Sequence, residues 1–503
     1  MNARQVQVEV DLRYGQMNSF TIVGLPDSAI REARDRVLAA LRNTGFILAS
    51  RNITVNLAPA DLRKEGAGFD LPIAVGLLGA MGLLSRRMPL ERYAFVGELG
   101  LLGEIRPVRG MLALAEGLAK QGIQGIVVAK EAAASAGLVP GLFSFGVSDL
   151  RELFMFLSGE IHLDPKRTDA DALLRSGNKN IDCDLMDVKG QEAAKRALEI
   201  AASGGHNMLL CGPPGAGKTM LAKRLPGILP PMSIEEAMEV TRVYSIAGIL
   251  PDNIPMIIVR PFRQPHHTAS DAGILGGGAI PRPGQISLAH NGVLFLDELP
   301  EYKTHVLEVL RQPIEDGLVT VARASGSYTF PARFQLVAAM NPCSCGYLGD
   351  TNHQCTCSPQ SIARYRRKLS GPLLDRIDIQ VEVPPVRFRD LDGLPACEPS
   401  AVVEARVAKA REIQKNRHGG VLNAHITERM VRQVAKPDVE GRRLLEMAID
   451  RLGFSARAYT RVLKVARTIA DLDGSDAVRS HHISEAIQYR AMDRSLGRNA
   501  VAA

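Results

Sequence analysis

Hydrophobic and polar positions change rhythm three times along this chain. Up to about residue 165, short strand-like stretches are interleaved with longer runs of helical period. The opening Met1-Asn-Ala-Arg-Gln-Val-Gln-Val-Glu-Val-Asp11 alternates as a half-buried strand does, and Phe20–Val23, Ile53–Leu57 and Gly125–Val128 read as further strands. Ala29 to Leu41 places apolar residues on one face of a charged helix, and Leu71 to Leu84 reads as an apolar helix. The texture then turns polar, through His162 to Asp171 and Ser176 to Asn180, which predicts a linker over 166–183. From Asp184 to about Pro385 buried-type strands and helices alternate. A stretch rich in Pro, Asp and Gly, from Pro384 to Pro399, follows, and residues 401–495 read almost entirely as helix. The expectation is an α/β chain with an N-terminal domain over 1–165, a core over 184–390 and a helical domain over 391–503. At 503 residues the chain is too long for one ordinary core, and two to four domains fit.

One motif changes that picture from architecture to chemistry. The apolar run Met208-Leu-Leu-Cys211 leads into Gly212, Pro213, Pro214, Gly215, Ala216, Gly217, Lys218 and Thr219, then into the helical Met220-Leu-Ala-Lys-Arg-Leu225. Strand, glycine loop and helix are the context that G-x-x-x-x-G-K-T needs in order to cradle phosphates. Backbone N–H groups and the helix N-terminus face the anion, and glycine lets the backbone approach it. Lys218 is expected to reach the β/γ-phosphates and Thr219 to help hold Mg²⁺, which makes ATP with Mg²⁺ the expected cofactors. About 75 residues on, the apolar Val293-Leu-Phe-Leu296 ends in Asp297 and Glu298. Asp297 is expected at Mg²⁺ and Glu298 at the attacking water. Phe334 to Met340 is a further apolar strand, ending in Asn341, which suits orientation of the same water.

Arginines extend the constellation. Arg376, in Leu373-Leu-Asp-Arg-Ile-Asp378, is a candidate arginine finger, with a salt bridge to Asp375 or Asp378 as the plainer alternative. A finger supplied between subunits raises the rate by roughly 10³–10⁵. Arg457 and Arg461 lie one helical turn apart, and Arg457 is the favoured bridge from the helical domain to the γ-phosphate. A finger acting in trans calls for an oligomer, most simply a ring.

Arg260-Pro-Phe-Arg-Gln-Pro-His-His-Thr268, Gly276-Gly-Gly278, Pro283 to Gly292 and Leu294-Phe-Leu-Asp-Glu-Leu-Pro300 together resemble the AAA+ module of magnesium-chelatase ATPase subunits. With Val23-Gly-Leu-Pro-Asp27 and Asn56-Leu-Ala-Pro-Ala-Asp61, almost the whole chain resembles the ComM/YifB family of bacterial magnesium-chelatase-like proteins. The resemblance implies a P-loop core with a parallel sheet, a C-terminal helical lid, a hexameric ATPase and, from the ComM members, DNA branch migration in natural transformation. Val96 to Gly110, a helix, and Gly125 to Lys130 resemble the α+β Lon protease domain. That family's Ser–Lys dyad is missing here. Leu112 falls near the lysine's place, and Lys64-Glu-Gly-Ala-Gly-Phe-Asp-Leu-Pro72 contains no serine, so the expectation is a proteolytically inactive scaffold.

Two segments suit a strand-threading role. Ile274 and Leu275, followed by three glycines, read as a flexible loop facing a pore. Gly317 to Phe330 reads as a β-hairpin with Arg323 and Ser325 at its tip, a small cationic point for a phosphate backbone. The His266-His267 pair reads as structural or hydrogen-bonding. Cys343, Cys345, Cys355 and Cys357 give two close thiol pairs, which match a structural zinc site, with reduced thiols or a redox pair as alternatives.

Composition is that of a soluble globular protein, with 46% apolar and 23% charged residues and no tryptophan. No apolar run approaches the roughly 20 residues of a membrane span, and the N-terminus lacks a signal-peptide pattern. These readings point to the cytoplasm, where cysteines stay reduced. The net charge of +7 is concentrated in residues 401–503, which hold 19 Lys and Arg against 12 Asp and Glu, and a polyanion such as DNA is the expected partner. The competing class is a chelatase-type remodeller acting on a protein partner. The motor motifs fit it nearly as well, the long N-terminal domain and basic tail less well.

Overall fold

A computed structural model describes all residues except 1–2, 15–18, 47–50, 85–88, 177–182, 252, 279–280, 324–325, 351–352, 386–396, 453, 491 and 493–503. The chain forms two compact units. One comprises residues 1–176 together with 234–258, the other 177–233 together with 259–503.

The first unit contains two three-stranded sheets. Gln7–Tyr14 pairs antiparallel with Arg51–Ala58, which pairs parallel with Ser19–Val23 on its other side. Tyr93–Val96, Gly125–Ala129 and Phe143–Val147 form an all-parallel sheet with Gly125–Ala129 at its centre, buried along its whole length. The helix Ser28–Asn43 starts where Asp27 accepts the Ile30 N–H at 2.8 Å, an N-cap. It lays Ile30, Ala33, Val37, Ala40 and Leu41 into the core. The apolar helix Asp70–Ala80 opens on a fully buried carboxylate that Arg36 grips with two hydrogen bonds, at 2.7 and 2.9 Å. Leu112 is fully buried, and the buried Lys64 donates to the Pro59 carbonyl.

Two boundaries differ from the sequence pattern. Residues 166–176, expected within the linker, are folded. Lys166 N–H donates to Ser144 at 2.7 Å, Thr168 N–H donates to Gly137 at 3.1 Å, and Ala170–Ser176 is helical. Residues 234–258, expected within the nucleotide-binding core, belong to the first unit. There the helix Ile234–Ala247 packs on Met111–Lys120, tied by Arg242 to Glu116 at 2.8 Å and by Gly110 N–H to Ser245 at 3.0 Å. Polar helix faces hid both attachments.

The second unit is built on five parallel strands in the order Phe262–Arg263, Val293–Leu296, Gln335–Met340, Met208–Cys211, Ile379–Glu382. The three middle strands are buried at every position, as parallel strands covered on both faces must be. All run the same way, so the loops after Cys211, Leu296 and Met340 open at one edge of the sheet. Ligands of open α/β sheets bind at that carboxyl edge.

The helices Ser400–His418, Glu428–Val434, Val439–Leu452, Ala456–Leu472 and Ser480–Gln488 form the lid and share one hydrophobic cluster with the sheet. A buried polar joint accompanies that cluster. Asp378, at the start of the last strand, accepts from Arg461 and from the Asn207 N–H, and faces His206 at 3.3 Å. The other His206 nitrogen meets Thr468 at 2.8 Å. Burial alone would raise the Asp378 pKa, but Arg461 and His206 outweigh it and hold the carboxyl well below the usual range.

The basic surplus of residues 401–503 is largely consumed inside the unit. Arg406 grips Glu398 and Glu199, Arg411 caps the Ala202 carbonyl, and Arg417 and Arg467 share Asp471. Arg461 holds Asp378, and Arg490 holds the Ile377 carbonyl. Charge counting overstated the cationic surface, because these guanidiniums act as internal ties.

Asp378→Asn leaves a partly buried Arg461 without its counter-charge, so at pH 7 it is expected to destabilise the chain by about 3 kcal/mol. The folded-state pKa of Asp378 is depressed, so its contribution is complete above the unfolded value near 3.9 and fades as pH falls below it. Denaturant melts of wild type and variant should therefore differ at pH 7 and converge on acidification.

Candidate active site

The loop after Met208–Cys211 is shaped by its glycines. A Cβ on Gly212 would lie 2.1 Å from the Val383 carbonyl oxygen, so only glycine lets the strand ends pack this closely. Gly215 and Gly217 take φ of +77° and +86°, the left-handed region that favours glycine. Gly217 then caps the helix Lys218–Ile228, whose unpaired N–H groups open towards the loop.

Lys218 is buried, and its ammonium donates to the carbonyls of Gly212 and Pro213 at 2.6 and 2.8 Å and to Asn341 Oδ1 at 3.0 Å. Burial lowers its pKa, opposed by Cys211, Asp297 and Glu298. Thr219 Oγ1 donates to Asp297 Oδ2 at 2.8 Å. The edge of the sheet thus brings together Lys218, Thr219, Asp297 and Asn341, contributed by three different strand ends. A hydroxyl beside a carboxylate is a hard-oxygen pair suited to Mg²⁺, which keeps several of its own waters.

Glu298 follows Asp297 in a left-handed conformation, φ +52°, which costs a non-glycine residue about 1–3 kcal/mol and is concentrated at functional sites. Its side chain is half exposed, and His267 Nδ1 stands 3.4 Å from Oε2. His266 lies against His267 with ring centroids 4.2 Å apart and bonds Thr268 Oγ1 at 2.7 Å. His267 is the neighbour that sequence reading missed as part of this site. It reaches Glu298 only because Phe262–Arg263 pairs beside Val293–Leu296.

The arginines part company. Arg376 is buried, held by Glu315 and by the Pro372 carbonyl at 2.6 Å. An arginine reaching another chain's γ-phosphate must be exposed, and this arrangement does not present Arg376. Neither does it form the Asp375 or Asp378 salt bridge considered from sequence. Arg461 is tied to Asp378, while Arg457, one turn earlier on Ala456–Leu472, is exposed. Met220 is also exposed beside the loop.

Ile274 corrects the sequence reading outright. It is fully buried in a short helix, Asp271–Leu275, capped by Ser270, while Leu275 packs partly against the same core. Gly276–Gly277 pairs antiparallel with Arg282–Pro283, so the first two glycines belong to a paired strand. A run of glycines permits flexibility without requiring it. The hairpin is present as Leu318–Arg323 and Gly326–Pro331, anchored by buried Val319 and Phe330. Ser325 and the side chain of Arg323 lie outside the described residues.

Beyond Asn341, the sulfurs of Cys343, Cys345, Cys355 and Cys357 lie within 4.8 Å of one another. Cys343–Cys345, Cys345–Cys355 and Cys343–Cys355 are 3.3, 3.6 and 3.7 Å apart. Disulfide sulfurs are about 2.05 Å apart, whereas four sulfurs at 2.3 Å from a tetrahedral zinc are about 3.8 Å apart. Backbone N–H groups of Tyr347 and Thr356 pull the Cys345 thiol down to about 6. His353 stacks on Tyr347 at 4.7 Å, outside the sulfur group.

Residues 184–391 match the family model described as magnesium chelatase, subunit ChlI, residues 8–132 match that of subunit ChlI of Mg-chelatase, and residues 397–490 match that of the subunit's C-terminal part. YifB of Escherichia coli K12 is 46% identical over 500 residues, covering 99% of this chain and 96% of YifB. Competence protein ComM of Haemophilus influenzae is 46% identical over 499 residues with the same coverage. The chain belongs to the ComM/YifB family. It is an AAA+ ATPase of the magnesium-chelatase type, with the ATP and Mg²⁺ that such ATPases use. The magnesium-chelatase 38 kDa subunit of Rhodobacter capsulatus is a more distant relative, 26% identical over 314 residues, covering 59% of this chain and 83% of that subunit. The N-terminal domain, weighed from sequence against a chelatase-type role, itself matches a chelatase model, so it does not separate ComM/YifB proteins from chelatases. Among the described residues no helix is long and apolar enough to cross a membrane.

Lys218→Ala is expected to abolish binding of a fluorescent ATP analogue. Glu298→Gln should keep its affinity within about threefold while kcat falls at least about 100-fold, the scale of a lost general base. Equilibrium binding and single-turnover hydrolysis check the pair.

Proposed function

We propose that this ATPase is a ring-forming motor, most simply a hexamer, that acts on DNA and drives migration of branched DNA. Full-length kinship with competence protein ComM carries the reading. The paired strands Leu318–Arg323 and Gly326–Pro331 support it by fixing the base of a hairpin, and Arg323 and Ser325 are the proposed contacts to a phosphate backbone.

In this reading Lys218 holds the β/γ-phosphates. Thr219 and Asp297 hold Mg²⁺, which supplies charge neutralisation on the transferred phosphoryl group. Glu298 polarises the attacking water, and Asn341, set by its hydrogen bond to Lys218, orients that water. His267 steadies the Glu298 carboxylate. Arg457, an exposed arginine of the lid, bridges the lid to the γ-phosphate, while Arg376 serves its own chain through Glu315. Zinc at Cys343, Cys345, Cys355 and Cys357 closes the insertion with four soft ligands and leaves no open position for a substrate water.

The decisive test is the ATPase rate with no DNA and with single-stranded, duplex and four-way-junction DNA. Stimulation of several-fold or more, strongest with the junction, is expected, and affinity should drop by orders of magnitude between 50 and 200 mM salt through counterion release. No binding at low salt and no change in rate would contradict the DNA reading and favour a chelatase-type action on a protein partner.

A further inference from the structure

The cysteine segment does more than follow Asn341, because it returns to touch the phosphate loop. Gly346, one residue beyond Cys345, has φ +88° and sits directly against Pro214. A Cβ there would lie 2.7 Å from Pro214 Cδ and 2.9 Å from Cγ, so the turn leaves room for the proline ring only as glycine. By contrast, a Cβ on Gly215 or Gly217 would meet nothing within 4 Å. The loop is therefore gripped at two points, Gly212 against Val383 and Pro214 against Gly346.

A second path joins the same places through the backbone. Cys343 is buried two residues after Asn341, whose side chain accepts from Lys218. Arg366, on the helix Pro359–Arg367 that follows the second cysteine pair, donates to the intervening Pro342 carbonyl at 3.4 Å. Cys345 N–H points at Cys357 Sγ at 3.4 Å, so the two cysteine pairs are knitted face to face. The turn that backs Pro214 and the strand end that carries Asn341 both emerge from this one knot of sulfurs.

We infer that the four-cysteine knot is a metal-held clamp on the phosphate loop, so that a soft divalent ion of the zinc class bound there raises the affinity for ATP. The inference rests on the zinc reading given above. Without the ion, the turn carrying Gly346 keeps its Gly346 N–H to Cys343 carbonyl bond at 3.1 Å, but the two cysteine pairs are joined to each other only by weak hydrogen bonds to sulfur. With it, both contacts to the loop are fixed before nucleotide arrives, and the ordering cost of binding falls. Linkage makes the effect reciprocal, so nucleotide must tighten the ion by the same factor, and coupling of this kind runs from about 5- to 150-fold.

The experiment uses the full chain in excess Mg²⁺. Zinc content is measured by elemental analysis, and the affinity for a fluorescent ATP analogue is measured before and after treatment with a zinc-selective chelator, and again after zinc is restored. Circular dichroism confirms that the chain stays folded. About one zinc per chain is expected, with a loss of nucleotide affinity of at least about tenfold on stripping and recovery on reloading. Gly346→Ala keeps all four thiols. It should retain zinc yet bind the analogue at least about fivefold more weakly, because its Cβ displaces Pro214. A saturating ATP analogue should in turn lower the zinc dissociation constant, read by competition with the chelator at equilibrium, by the same factor seen for the nucleotide.

The failures are separable. Protein purified with well below one zinc per chain, and unable to take it up, overturns the metal reading. Zinc-replete protein whose nucleotide affinity stays within about twofold after stripping, and in Gly346→Ala, overturns the clamp while leaving the metal site standing.

Discussion

Everything in the catalytic half of this chain depends on the close packing of Met208–Cys211 between Gln335–Met340 and Ile379–Glu382. Strands buried on both faces cannot slip, since every backbone group is paired and every side chain is enclosed. Their fixed register, Met340 opposite Cys211 and Glu382 opposite Cys211 on the other side, puts the phosphate loop beside Asn341. The Lys218 ammonium then bridges loop and neighbouring strand at 3.0 Å. The same parallel order sets Asp297 within 2.8 Å of Thr219. Chemistry assembled from residues far apart in sequence thus reduces to a matter of strand order.

The lid is attached by different physics. It shares the apolar core of the sheet, and its orientation is specified by a buried joint of Asp378, His206, Arg461 and Thr468. Nonpolar contacts would tolerate small rotations of the helix Ala456–Leu472. Charge-assisted hydrogen bonds to a buried carboxylate do not, because breaking them leaves an unpaired ion. Arg457 stands one turn from Arg461 on the same helix, so this joint also fixes where Arg457 lies.

The sequence made the continuous signals legible. Alternation located Gln7–Tyr14, Ser19–Val23 and Arg51–Ala58, and apolar runs ending in polar residues located the strands before Gly212, Asp297 and Asn341. What remained hidden was decided by tertiary partners. Ile274 looked like the apolar point of a glycine loop, and the need to bury it in a short capped helix won. Arg376 looked free for a neighbouring chain, and Glu315 claimed it. Charge counting in residues 401–503 could not see that Arg406, Arg417 and Arg467 are spent on internal carboxylates. His267 carried no sign of its approach to Glu298, because that contact exists only after Phe262–Arg263 joins the sheet.

We propose that Thr219 and Asp297 act as one unit at the nucleotide site, and not as two separate aids to folding. A double-mutant cycle of Thr219→Ala and Asp297→Ala, read as kcat/KM for ATP in saturating Mg²⁺, separates the two possibilities. If the two hold a single ion together, the double variant should be within about twofold of the worse single variant, the strong non-additivity of groups that work as a unit. Losses that simply multiply would contradict a shared site.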